Sequence, residues 1–489
     1  MAAAMGTATG PAKLKAVTDL VNKLSDDLEN ISLLPKDRND ALEELKIYGR
    51  DPKNADPIFT ANVRRSTASF STSLYLTIVI KGITMLLRYA FHTTSSETAR
   101  AALRVIANAM LLKPETRQMF VSKGYPAQAC EKLKTDNWDD EFLFSRILFL
   151  STYGTDIDLK ALIEDCQLAE HIVNNLERHI NLPSDKQKQK LDPMEEMALG
   201  ETLKLMFNVT HFCKTKVSAF TPAVSHIVSL LWKQDSSDAK PLEPPFSPLV
   251  NSLLNLDLQA DQSQLSLYPQ DDPNKVTSRI LHLLDCGVRA YSGSDLETVV
   301  TPVVSLLSKL YENAPREVRQ KMKESLLPTG EDRQAVLGRG DSLPSVLLKN
   351  STNPTALALR DAISHLLFDL SDKDASKFVE NVGYGFASGF LFQNNVPVPA
   401  SLSSSLSTGD ASGNQRPVNP ITGQFLDKQK FANAPEMTEE EKEREAERLF
   451  VLFERLKKTG VINIQNPVEK AVQEGRFEEL SDDYVEELD

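Results

Sequence analysis

From about residue 12 to 395 the chain is a succession of segments whose apolar residues recur every three or four positions, separated by short Pro, Gly, Asp or Asn punctuation. That period belongs to the α-helix, and a helix with one apolar stripe must bury it against another. No comparable series of alternating strand segments accompanies it, so the pattern predicts an all-α chain. Typical expected helices cover 98–112, 114–121, 140–152, 158–179, 193–212, 248–256, 275–291, 295–312, 356–370 and 375–392.

Several of these helices carry a polar residue inside an otherwise apolar run, at Asn108, Asn208 and Asn255. Asn208 and Asn255 stand 47 residues apart, within the roughly 40 to 47 residue period of armadillo and HEAT repeats. Such units stack into a superhelix whose inner helices line a concave groove. An Asn inside a helix costs helix propensity and needs a partner. It either bonds a neighbouring loop carbonyl within the stack or faces a bound partner. Three such residues at equivalent places favour the groove.

Composition narrows the partners. A hydrophobic share of 41% with 25% charged residues is that of a folded chain. Fifty-five basic against 68 acidic residues give a net charge of −13, which argues against nucleic acid or an anionic membrane as the main partner. Cys130, Cys166, Cys213 and Cys286 are widely spaced with no CxxC pair, so buried free thiols in a reducing compartment are expected. The N-terminus lacks the charged-then-apolar order of a signal peptide, which points to the cytoplasm. The most apolar run, Leu74 to Ile80, is too short and too closely followed by Lys81 and Arg88 to span a bilayer. It is expected to be a buried helix.

The ends differ from the repeat array of 12–395. Residues 1–11 are expected to be a flexible N-terminus. Residues 396–435 are rich in Pro, Ser, Asn and Gly and predict a mobile linker. Residues 436–460 predict a tethered amphipathic helix, capped by Thr438 with Glu441 and stopped by Gly460. Its apolar face, Ala446, Leu449, Phe450, Phe453 and Leu456, must bury against something: the last repeat or a partner. The preceding linker favours a partner. Residues 461–489 read as a solvated acidic tail.

An enzyme should leave a constellation, and the usual ones are missing. The seven histidines form no HExxH pair, and the chain has neither a GxxxxGK[ST] phosphate loop nor a GxSxG elbow. Gly383-Tyr-Gly385-Phe-Ala-Ser-Gly389 has one residue too many for a dinucleotide loop. It predicts a close turn near the end of the array. The chain is expected to act by binding, as a monomer, with no metal or cofactor.

Three C-terminal pieces carry a resemblance. They are Lys377 to Gly389 with its Gly-Tyr-Gly turn, Asn419-Pro-Ile-Thr-Gly423, and the acidic-start helix from Met437 into Leu449 to Leu456. In that order they resemble the synembryn family, also called resistance to inhibitors of cholinesterase. The segments Leu42 to Asp51, Phe142 to Thr152 and Glu201 to Thr210 look like further family helices, and the likeness covers most of the chain. It implies an armadillo and HEAT superhelix that binds heterotrimeric G-protein α subunits as a chaperone and a guanine nucleotide exchange factor. It implies that the groove takes the C-terminal helix of the α subunit while the chain's own C-terminal helix, through Leu449, Phe450, Phe453 and Leu456, grips the switch region.

Groove candidates are Lys46, Arg50, Asn108, Arg146 and Asn208. Lys46 and Arg50, four residues apart, could meet the terminal carboxylate of the α subunit or form a solvated basic face. The alternative is an armadillo adapter or import carrier, which should show a regular Trp and Asn ladder. Trp138 and Trp232 are the only tryptophans. Animal members carry an acidic, phosphorylatable run before the Asn-Pro-x-Thr-Gly turn, whereas 403–412 here holds only Asp410.

Overall fold

The computed structural model describes residues 8–60, 82–181, 192–233 and 239–397, with 63–64, 78–79, 236, 418–419 and 421–429. Residues 1–426 form one compact unit and 427–489 a second. Among the described residues the first unit is mainly helical. It opens with α1 (Gly10–Asn30), α2 (Pro35–Tyr48) and the single turn α3 (Asp56–Phe59). Next come α4 (Ile83–His92), α5 (Ser96–Leu112), α6 (Glu115–Ser122), α7 (Tyr125–Lys132) and α8 (Trp138–Ser151). The middle holds α9 (Leu159–Glu164), α10 (Leu168–Ile180), α11 (Pro193–Phe212), α12 (Ala223–Lys233), α13 (Phe246–Leu254) and α14 (Asp261–Leu267). The rest is α15 (Lys275–Ala290), α16 (Gly293–Asn313), α17 (Arg316–Leu326), α18 (Leu343–Asn350), α19 (Leu357–Leu370), α20 (Ala375–Val382) and α21 (Tyr384–Gln393).

Local chemistry sets these starts. Ser95, Asn137, Asp158, Ser342 and Asp374 each accept a hydrogen bond from the third amide of the helix that follows, removing one unsatisfied donor. Pro193 opens α11 behind an Asp192 cap.

Helices α2, α5, α8, α11, α13, α16 and α19 pack each on the next as a continuous ladder. A second layer pairs α4 with α5, α7 with α8, α10 with α11, α12 with α13 and α15 with α16. Bonds across the ladder run in parallel register, from Ser145 to Thr202 at 3.1 Å, from Ser252 to the Leu203 carbonyl at 3.3 Å and from Asn255 to the Phe207 carbonyl at 3.1 Å. Leu103, Ile147, Leu203, Leu253, Leu307 and Leu367 are all buried along this line, each contributing on the order of 1.5 to 3 kcal/mol. The unit is the expected helical repeat superhelix.

Four local features differ from expectation. The expected helix 158–179 breaks into α9 and α10, because Gln167 adopts a left-handed conformation at φ 55° between them. The helix 375–392 breaks at Gly383, whose φ of 82° no helix accommodates. Leu74 to Ile80 does not form the expected helix throughout. Ile78–Val79 pairs antiparallel with Val63–Arg64, as its β-branched residues favour, while 65–77 lies outside the described residues. Cys130 alone of the four free cysteines is fully buried, the other three being half-buried.

Part of the expected linker is also built into the unit. Residues 418–425 return as a clasp on the α20–α21 turn. Gly385 donates its amide to the Ile421 carbonyl at 3.0 Å, Leu337 to that of Thr422 at 3.3 Å, and Phe425 to that of Arg333 at 3.0 Å. The Arg333 guanidinium donates to the carbonyls of Gly423, Glu380 and Asn381. Burial holds this guanidinium below its ordinary pKa. A Cβ on Gly423, at φ 67°, would stand 2.3 Å from Leu337 Cδ1. The Asn-Pro-x-Thr-Gly turn is thus a lock piece.

Candidate functional site

The candidate binding face is built from the ladder helices α2, α5, α8 and α11. Much of its charge is neutralised internally. Lys46, in the last turn of α2, donates to Glu43, and Glu43 also faces Arg104 at 3.9 Å. Arg104 in turn bonds Asp139 at 2.9 Å, and Arg100 makes a two-pronged pair with Asp140 at 2.7 and 2.9 Å. Its bond to Asp140 raises the Arg100 pKa further. One step along, Arg146 bonds Glu201 at 2.9 Å and lies over the Phe142 ring. Glu201 also takes Lys204 at 3.0 Å. A cationic ligand group or a carboxylate would have to exchange into this row of pairs.

Arg50 and Asn108 stay open. Arg50 is exposed and lies past the end of α2, in the turn that follows Tyr48, so it does not share a helix face with Lys46 as the four-residue spacing predicts. Asn108 is half-buried on α5 and makes no side-chain hydrogen bond among the described residues. Asn208 is placed differently. It is 4% exposed, donates to Thr152 Oγ1 at 2.7 Å and accepts from Tyr153 at 3.4 Å. Asn208 and Asn255 therefore tie neighbouring ladder helices together, which leaves Asn108 as the amide available to a partner.

Beside Asn208 stands an aromatic cluster that the sequence pattern did not single out. Tyr153 and Phe212 are 41% and 53% exposed, and their rings meet edge-on at 6.4 Å. Phe149 packs on Tyr153 at 5.3 Å and His211 on Phe212 at 5.0 Å. A signal was there: aromatic residues at the solvent-facing positions that end α8 and α11, where a lone stack would place polar ones. Leu449, Phe450, Phe453 and Leu456 lie outside the described residues.

Among the described residues no group of three His, Cys, Asp or Glu side chains could hold a metal, and no helix is long and apolar enough to cross a membrane. What the face offers is contact: open amide and cation, exchangeable ion pairs and apolar rings.

Comparison with known proteins agrees with this picture. Residues 41–476 match the family described as Ric8, guanine nucleotide exchange factor synembryn. The synembryn-like chaperone of Schizosaccharomyces pombe is 26% identical over 383 residues, 74% of this chain and 70% of that protein. Chaperone Ric-8A of Macaca fascicularis is 25% identical over 459 residues, 88% of this chain and 83% of that protein. Chaperone Ric-8A of Gallus gallus is 25% identical, covering 92% of this chain and 88% of that protein. With a match across most of its length, the chain belongs to the synembryn guanine nucleotide exchange factor family.

Proposed function

We propose that this chain binds heterotrimeric G-protein α subunits, stabilises their nucleotide-free form and thereby promotes GDP release and GTP loading, while sheltering incompletely folded α subunits as a chaperone. The observation that carries the reading, beside the family, is the exposed aromatic cluster of Tyr153, Phe212 and His211 beside Asn208, on the same ladder of helices as the open Asn108. Such a face suits an amphipathic helix, with rings for its apolar stripe and an amide and Arg50 for its polar end. The C-terminal helix of the α subunit is the occupant that the family resemblance implies. The chain acts as a monomer in the cytoplasm and reaches the cell cortex through its partner.

No catalytic group is needed. A chain that binds the nucleotide-free α subunit more tightly than the GDP-bound form weakens GDP affinity by the same factor. The second contact in this scheme is the helix of 436–460, with Leu449, Phe450, Phe453 and Leu456 on the switch region. GDP release from purified α subunit, with and without the chain, is the deciding measurement. Replacing Phe450 and Phe453 by Ala should slow stimulated release by about tenfold or more, a change of about 1.4 kcal/mol, while the free protein melts as before. Normal exchange together with a large loss of stability would show instead that this helix only covers the array.

A further inference from the structure

Helix α1 lays Val17, Val21 and Leu24 against α2, α3 and α4, each of them at most 1% exposed. The next position of this stripe towards the N-terminus is Lys13, which is 7% exposed. The helical period calls for an aliphatic residue there. A buried ammonium gives up its hydration and is kept only where bonds replace it. Asp27, the charged residue at the other end of the stripe, is accounted for by its bonds to Leu33, Arg38 and Tyr89, which fix the turn from α1 into α2.

Lys13 reaches a different turn. Its Nζ donates to the Asp51 carbonyl at 2.8 Å and to Asp51 Oδ2 at 3.4 Å, 38 residues along the chain. Asp51 directly follows Arg50 in the turn that leaves α2. The other bonds of that turn are local: the Arg50 amide to the Ile47 carbonyl at 3.3 Å, the Lys53 amide to Asp51 at 3.0 Å and the Ala55 amide to the Pro52 carbonyl at 3.2 Å. Among the described residues, Lys13 supplies the hydrogen bond that ties residues 50–53 to another helix. The Arg50 side chain is exposed, and an exposed arginine on a turn loses backbone and rotamer freedom when it binds. Fixing the backbone one residue away removes part of that cost in advance.

We propose that Lys13 is a positioning residue: through the Asp51 carbonyl it holds the Arg50 turn in the conformation that receives the terminal carboxylate of the α subunit. This rests on the reading that Arg50 meets that carboxylate. Helix α1 is then part of the binding apparatus as well as the cover of the first repeat.

The test titrates the full chain with two synthetic peptides that copy the C-terminal helix of the α subunit, one ending in the free acid and one in an amide. The wild type should prefer the acid by about threefold to fivefold, the range of an exposed charge pair, and Arg50→Ala should abolish the preference. Lys13→Met keeps the apolar stem and removes the ammonium. It should take away most of the acid preference, leave affinity for the amide unchanged, and melt at or above the wild-type temperature, because an apolar replacement of a buried ion commonly costs nothing. The double variant should behave as Arg50→Ala alone. A wild type without acid preference, or an Arg50→Ala chain that keeps it, refutes the reading of Arg50 and takes the proposal with it. A preference lost in Arg50→Ala but kept in Lys13→Met overturns the proposal alone. So does an equal weakening of both peptides by Lys13→Met, the mark of a residue that only supports the fold.

Discussion

At the scale of single residues, three asparagines that look alike in sequence do different things. Asn208 and Asn255 meet partners on the adjacent helix, whereas Asn108 meets none among the described residues. Sequence could find the polar interruptions but not their partners, because each partner lies some 50 residues away on the next repeat. Asn208→Ala should cost about 1 to 3 kcal/mol by removing the buried bonds to Thr152 and Tyr153. Asn108→Ala should leave stability within about 0.5 kcal/mol and weaken binding of a peptide that copies the C-terminal helix of the α subunit. Urea melts and peptide titration on the same two variants separate the roles, and an equal loss of stability in both would contradict them. His179 offers a second test. Buried against Trp138, it bonds Glu141 at 3.0 Å and faces Glu195 at 3.7 Å, with Arg178 and Lys233 as the neighbouring cations. Burial lowers its pKa, but the bond to Glu141 and the charge of Glu195 outweigh that and raise it above 6.5. A raised folded pKa stabilises fully below the unfolded value and is lost as pH rises through the folded one. Denaturation at about pH 6 and about pH 9 should therefore show a decline that His179→Gln flattens. An unchanged slope in the variant would remove His179 from the linkage.

At the scale of elements, the apolar period placed the long helices well, and α11 begins and ends where the period predicts. Its failures have local causes. Gly383 announces its break, since glycine is at ease at positive φ. Gln167 does not, because a glutamine gives no sign in sequence of its left-handed φ of 55°. Residues 418–425 read as linker because their composition is polar, yet backbone hydrogen bonds to Arg333, Leu337 and Gly385 hold them, and backbone bonding leaves no compositional trace. The clasp makes a sharp prediction. Gly423→Ala puts a methyl into Leu337 at a positive φ, a conformation that alone costs roughly 1 to 2 kcal/mol. The amides of Leu337, Gly385 and Phe425 should then exchange with solvent much faster, while amides of α5 and α8 stay protected. Hydrogen exchange resolved by segment reads this directly, and unchanged protection at those three amides would show that the clasp does not depend on Gly423.

At the scale of the whole molecule, the period and the 47-residue spacing made the superhelix legible, while the candidate binding face needed the structure to show which charges are already spent. A ligand that binds only the folded array raises its stability, by about 2.7 kcal/mol at a hundred times its dissociation constant. A peptide copying the C-terminal helix of the α subunit should accordingly raise the melting temperature of the wild-type chain. Lys46→Glu with Arg50→Glu should erase that rise while lowering the melt of the free protein only slightly, since Arg50 is exposed and the half-buried Lys46 gives up a single ion pair, with Glu43. A retained rise would take this pair out of the contact. The clasp also bears on how the chain is made. Arg333 and Gly423 are 90 residues apart, and a ribosome adding roughly 5 to 20 residues per second needs on the order of 5 to 18 seconds to deliver the second after the first. Through nearly all of that interval the amide of Leu337 has no carbonyl to meet, whereas the repeats bearing Arg50, Asn108 and Tyr153 have long since been made. A nascent chain is therefore ready to engage a partner at its first repeats before its own far end has closed.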